Sequence, residues 1–304
     1  MKTNSSALSG VVIVNKETGL SSQAVVNRVK RIFGVDKAGH TGTLDPLATG
    51  VLPVLIGRAV KASEFMLTAD KHYSATLLLG IKTDTEDITG EVIELCERVP
   101  SEDEVLRTVE AFVGESMQTP PMYSALKVGG KKLYELAREG VTVERESRRI
   151  EIYSLRATRL TEREYKLDVH CSKGTYIRTL CADIGDKLGT GGTMKTLERT
   201  EASGFPVSSA HTLGELEEMT PKERESLIVP LEEVFRGFDA VILEPFYARL
   251  AHSGLEIYLK KIEKSFDIGT RVKLYDADGF FALGEVRMFE DGPAIKPIRQ
   301  FGKL

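Results

Sequence analysis

Apolar residues fall into two spacings along the first two thirds of the chain. Val11-Val12-Ile13-Val14 is an unbroken run, and Gly10 to Asn15 reads as a short buried strand. Val25, Val26, Val29, Ile32 and Phe33 then recur on one face of a helix. Ser21 or Ser22 can cap that helix and Gly34 can end it. Val51 to Ile56 predicts a second buried strand, and Arg58 to Leu67 reads as helical. Tyr73, Ala75, Leu77 and Leu79 alternate as one face of a strand does. Ser101-Glu102-Asp103-Glu104 is a capping box ahead of Val105, Leu106, Val109 and Phe112. Further strands are predicted at Arg148–Leu155 and Tyr165–His170, and Thr175 starts a helix to Leu188 that Gly189 ends.

The segment Gln118 to Val143 breaks this rhythm. Pro120-Pro121 stops regular structure, Gly129-Gly130 permits a turn, and Lys132 to Arg138 predicts a short helix. Gly214 to Glu233 carries seven acids and two bases and reads as helical surface. A boundary falls near Gly237 to Pro245. Beyond it, Arg271–Tyr275 and Phe280–Phe289 read as strands, with the hairpin signal Asp278-Gly279 between them. This is the pattern of a small barrel-like module. On the residues alone, the class is mixed α/β.

A length of 304 residues suggests about two domains. Hydrophobic content of 41% and charged content of 28% fit an ordinary globular chain. No apolar run approaches the roughly 20 residues that cross a bilayer. The start, Met1 to Ser6, leads toward a strand and not a signal-peptide core. Cys96, Cys171 and Cys181 lack metal-ligand spacing and fit buried thiols in a reducing cytoplasm. The net charge of -4 argues against nucleic acid, yet it is unevenly spread. Asp84 to Glu115 is at -9, which leaves the rest of the chain at +5, and Lys127 to Arg149 is at +3. A local basic face is compatible with the acidic total, although on charge alone a solvated surface helix and loop is the favoured reading of that segment.

Candidate chemistry concentrates in Gly39-His40-Thr41-Gly42-Thr43-Leu44-Asp45-Pro46-Leu47-Ala48-Thr49-Gly50. A loop so rich in Gly makes turns that other residues resist. With a strand behind it, Asp45 is held at the mouth of a cleft, as a catalytic carboxylate requires. Asp before Pro is also a common turn starter.

That loop resembles the catalytic motif of the TruB family of tRNA pseudouridine synthases. The resemblance continues through Lys71-His72-Tyr73, Thr83-Asp84-Thr85-Glu86-Asp87, Gln118 to Lys127 and Cys171 to Leu180, over nearly the whole chain. It implies an α+β fold, with a mixed, largely antiparallel central sheet and flanking helices. Residues 1–240 would form the catalytic domain, with an RNA-binding insertion at 118–147, and residues 241–304 a small β-rich PUA-like domain. The implied substrate is uridine-55 in the T loop of tRNA, flipped out of its stack and isomerised to pseudouridine without cofactor or metal. Asp45 matches the essential carboxylate. It can attack carbon 1′, add to the ring, or remove the 2′ proton, and each route requires it ionised. Arg178 matches the cation that offsets its burial. Tyr73 matches the active-site tyrosine, and Tyr176, Leu197 and Lys61 fall on lining or supporting positions. His40 matches a histidine that supports the disrupted loop. Lys127, Lys131 and Lys132 would contact phosphates from a mobile insertion.

The resemblance thus implies a cytoplasmic monomer that acts on tRNA without guide RNA or membrane. A guide-dependent relative acting on ribosomal RNA, a tRNA-binding module and a phosphate-cradling loop are the alternatives. The last lacks the Gly-Lys-Ser/Thr ending of a P-loop.

Overall fold

A computed structural model describes residues 8–302. The start at Met1 to Ser6, expected to lead into the first strand, lies outside the described residues. The larger sheet runs Gly10–Lys16, Thr49–Ile56, Gly192–Ala202, Lys71–Leu79, Glu164–Cys171, Arg148–Arg159 and Gly114–Gln118. Ala38–His40 and Phe205–Pro206 pair beside this path. Every neighbour is antiparallel except Gly192–Ala202 on Thr49–Ile56. The class is therefore α+β, with a mixed and largely antiparallel sheet.

The hydrophobic spacing follows from what covers each face. Val12, Val14, Leu52, Ala75, Leu77 and Leu167 face four helices. These are Ser22–Ile32, Glu102–Glu110, Ile177–Lys187 and Leu213–Glu218. Val11, Ile13, Val51 and Leu55 face the opposite way, against Phe235, Phe280, Leu283 and Phe301. The first two strands are thus covered on both sides and read as unbroken apolar runs. Lys71–Leu79 is covered mainly on one side and alternates.

The C-terminal part forms a second sheet in the order Asp239–Ile242, Arg271–Asp276, Gly279–Phe289, Gly292–Gln300, Ile257–Tyr258. Pro245–His252 packs against it through Ala248 and Ala251. The hairpin turn is Ala277-Asp278, one residue earlier than its Asp-Gly signal, and Gly279 pairs with Asp276.

Several local expectations change. Arg58–Leu67 divides into a 3-10 segment, Gly57–Ala62, and one α turn, Ser63–Leu67. Ser101 accepts from the Glu104 N–H at 3.3 Å, but the Glu104 carboxylate pairs with Arg98 and leaves the capping box half made. Leu106 is exposed. Thr175 does not open its helix, which begins at Ile177, because its hydroxyl donates to the Ser172 carbonyl at 3.0 Å. The strand Gly192–Ala202 was not legible, since Lys195, Glu198, Arg199 and Glu201 mask its alternation.

Candidate active site

Ala38–His40 pairs with Thr49–Ile56, so the Gly-rich loop is the long connection of a hairpin. Three anchors fix it. The Ser22 hydroxyl accepts from the Leu44 N–H at 2.8 Å and donates to the Leu44 carbonyl at 3.0 Å. The fully buried Lys16 ammonium donates to the carbonyls of Pro46 and Ala48. The Ala48 N–H donates to the Asp45 carbonyl at 3.1 Å. Gly50, at φ +98°, closes the loop against the next strand, where a Cβ would lie 2.3 Å from the Arg199 carbonyl oxygen.

Asp45 meets Arg178 through both carboxylate oxygens, Nε to Oδ2 at 2.9 Å and an Nη to Oδ1 at 3.4 Å. A planar guanidinium fixes both the position and the rotation of the carboxylate in this way. Arg178 lies in the first turn of Ile177–Lys187, and its side chain is only 5% exposed. Its other donors reach the carbonyls of Thr85 at 3.0 Å and Tyr123 at 2.7 Å. Asp87 stands 3.8 Å away and is itself held by the Thr89 N–H and hydroxyl.

A third of the Asp45 side chain remains open to solvent, so the carboxylate is reachable from the cleft. Burial nevertheless pushes its pKa up, and Arg178 pulls against that shift. Asp87 adds to the rise and Lys16 opposes it. Lys16 is drawn down to about 8 by its own burial, with Asp45 resisting. The site therefore confines a carboxylate at a cost in solvation and sets fixed cations, Arg178 and Lys16, against that cost.

Tyr73 pairs across the sheet with Val169 on one side and Arg199 on the other. Burial raises its phenol pKa, while the Arg199 guanidinium pulls it down. Leu197 is buried on the Arg199 strand, directly opposite Ala75. Tyr176 is locked to Gln118 by two hydrogen bonds, its N–H donating at 2.8 Å and its carbonyl accepting at 3.1 Å. The His40 Nδ1 accepts from the Gly42 N–H at 3.3 Å, so this ring caps its own turn. Burial and then Arg199 lower its pKa, which favours the neutral imidazole.

Lys61 stands apart from this group. It is exposed and donates to the Gln300 carbonyl of the second sheet at 3.1 Å. Lys127 and Lys132 lie on the two short strands that flank Gly129-Gly130. Lys131 is already paired with Glu139 at 3.2 Å, and Lys132 lies over the Tyr134 ring at 5.3 Å. Lys127 is exposed beyond them.

Sequence reasoning assigned no role to Lys16, Asp87, Gln118 or Arg199. Lys16 had a faint signal, as a charge ending a fully apolar strand. Asp87 lay inside a matched motif without a stated purpose. Arg199 had none, because its strand was not recognised.

The N-terminal domain profile of the TruB family of pseudouridylate synthases matches residues 30–177. The profile of the tRNA pseudouridylate synthase B C-terminal domain matches residues 178–240. The tRNA pseudouridine synthase B of Francisella tularensis subsp. tularensis (strain FSC 198) is 44% identical over 97% of this chain and 96% of its own. That of Alkaliphilus oremlandii (strain OhILAs) is 42% identical over 92% of this chain and 94% of its own. Among solved structures, a chain of a Cbf5-Nop10-Gar1 complex superposes with a TM-score of 0.73 at 27% identity, covering 96% of this chain and 84% of that one.

Proposed function

The chain belongs to the TruB family of pseudouridylate synthases, and we propose that it is a tRNA pseudouridine synthase acting on uridine-55 of the T loop. The bond from uracil N1 to carbon 1′ breaks, the base turns, and carbon 5 bonds to carbon 1′. The carbon 5 proton leaves and N1 gains one, so the change is an isomerisation.

The observation that carries this reading is the two-point grip of Arg178 on Asp45, at the floor of a loop pinned by Ser22 and Lys16. A preorganised anion beside the sugar serves any of the three routes open to Asp45. Tyr73 would stack on the base, and its hydroxyl is suited to assist loss of the carbon 5 proton. Leu197 and Tyr176 would line the pocket. The target lies within a folded RNA loop, so it must be flipped out to reach Asp45. His40, being neutral, suits packing against the opened loop better than proton transfer.

In this reading residues 1–240 carry the chemistry, and residues 118–147 close over the RNA. Lys127, Lys131 and Lys132 supply phosphate contacts there. Residues 241–304 extend the RNA surface as a PUA-like unit, and Lys61 supports that unit at Gln300. The enzyme acts as a cytoplasmic monomer on bare tRNA, without guide RNA.

The test is tritium release from carbon 5 of uridine in an unmodified tRNA transcript. Release by the parent is expected, with loss in Asp45→Asn and in a transcript carrying cytidine at the target. Tight binding without release would refute the enzymatic reading and leave an RNA-binding module. Release that depends on an added guide RNA would refute stand-alone action.

A further inference from the structure

Arg199 is the largest of the fully buried side chains, at 1% exposure, and the chemistry above does not use it. We infer that Arg199 is a positioning residue that fixes the Asp45 loop against the Tyr73 ring and so sets the gap in which the target base turns. The inference rests on the activity proposed above.

Its donors go to both ends of one loop. Nε reaches the Val51 carbonyl at 2.7 Å, and an Nη reaches the Gly42 carbonyl at 3.1 Å. Gly42 precedes Asp45 by three residues and Val51 follows it by six. The guanidinium therefore spans the base of the loop as a brace. The Arg199 backbone adds two further restraints, pairing with Gly50 on one side and with Tyr73 on the other. The lack of a side chain at Gly50 permits that approach. Val169, Tyr73, Arg199 and Gly50 thus form one row across four strands, and the carboxylate loop leads into that row at Gly50.

The electrostatics point away from a purely structural part. Among the described residues Arg199 makes no ion pair. Its charge disfavours the charged forms of Lys16, Lys71 and His40, and of its titrating neighbours Tyr73 is the one whose ionised form it favours. Lys71 is drawn down to about 8, by burial first and Arg199 next. A buried cation without an anion is a poor way to stabilise a core, and an apolar residue of similar volume serves that end as well. What an apolar residue does not do is hold two carbonyls at a fixed separation. Lysine is also a partial substitute, since its ammonium lacks the planar fork.

The test uses the full chain with Arg199→Lys and Arg199→Met. Hydrogen–deuterium exchange of a peptide covering residues 41–51 reads the brace directly, whether or not the protein is active. Single-turnover tritium release at saturating tRNA, the tRNA Kd and the Tm complete the set. In Arg199→Met, loop exchange should rise at least tenfold and the single-turnover rate should fall about 100-fold, the scale of a displacement near 1 Å. The Kd should stay within about threefold, because no phosphate contact is lost. Arg199→Lys should fall between, and it decides the question if Arg199→Met does not fold. In a Tyr73→Phe background the Arg199→Lys loss should shrink, since the two residues define one gap. Unchanged loop exchange, a rate that falls only with the folded fraction, or full additivity with Tyr73→Phe would each overturn the inference. A parent that releases no tritium would refute the tRNA activity instead, and loop exchange would still decide the role of Arg199 as a brace.

Discussion

The Asp45 loop and the Lys127–Lys132 hairpin both rely on glycine and charge, and they use them in opposite ways. In the first, Gly50 lets backbone press on backbone, and the charges at Lys16, Arg178 and Arg199 are buried, with their donors on named carbonyls or on Asp45. In the second, a Cβ at Gly129 or Gly130 would meet nothing, and Lys127 and Lys131 are exposed. Buried charges are weakly screened and geometrically fixed, which suits bond rearrangement. Exposed charges are screened by salt and free to adapt, which suits holding an RNA backbone.

The largest expected effect tests the buried side. Asp45→Asn should lower single-turnover tritium release by at least about 1000-fold, as loss of a group that acts on the reacting atoms does. The same change should not weaken the free protein. Folding raises the Asp45 pKa, so the stability this group contributes is present at low pH and lost as pH rises through the folded value. At pH 7 Asp45→Asn should therefore melt no lower than the parent, read by scanning calorimetry. A clear drop in Tm would show that the ion pair outweighs the burial.

Arg178→Ala should come next, with release reduced roughly 100-fold or more, because Asp45 then keeps its burial and loses its nearest cation. In the milder Arg178→Lys, the acidic limb of the kcat/KM profile should move upward in pH. An unmoved limb would assign that limb to another group.

Lys16→Met follows in size. The carbonyls of Pro46 and Ala48 would each lose a donor, at about 1 to 3 kcal/mol for a buried polar group left unmade. A lower Tm and a slower single-turnover rate should appear together. Linkage gives the sign against pH. The Lys16 pKa is lowered on folding to about 8, so protonation is disfavoured in the fold and this part of the stability grows as pH rises from there toward 10.5. The parent should gain on Lys16→Met across that window in calorimetry.

On the exposed side, alanine at Lys127, Lys131 and Lys132 should raise the tRNA Kd about tenfold at low salt, flatten its salt dependence, and spare the saturated rate. Lys127 should contribute most of the three and Lys131 least, since Glu139 already holds the latter. A fall in the saturated rate would mean that the hairpin also shapes the site. Gly129→Ala is the smallest change. Its φ of +59° costs a side chain about 1 kcal/mol, felt in hairpin order and scarcely in global Tm.

The chain itself determined the elements whose physics is local. Val11–Val14, the Val25–Phe33 helical face and the Tyr73–Leu79 alternation announced a sheet with helices on it, because spacing and burial are tied residue by residue. Resemblance to the TruB motifs singled out Asp45 and Arg178, and the fold brings the two together. Only the tertiary structure decided what holds that site. Arg199 sits on a strand rich in charged side chains, and its carbonyl partners lie about 150 residues away in sequence. Lys16 likewise looked like the polar end of a strand until the Pro46 and Ala48 carbonyls closed around it. A buried cation is stable only where distant backbone supplies its acceptors, and that supply is a property of packing that no local pattern records.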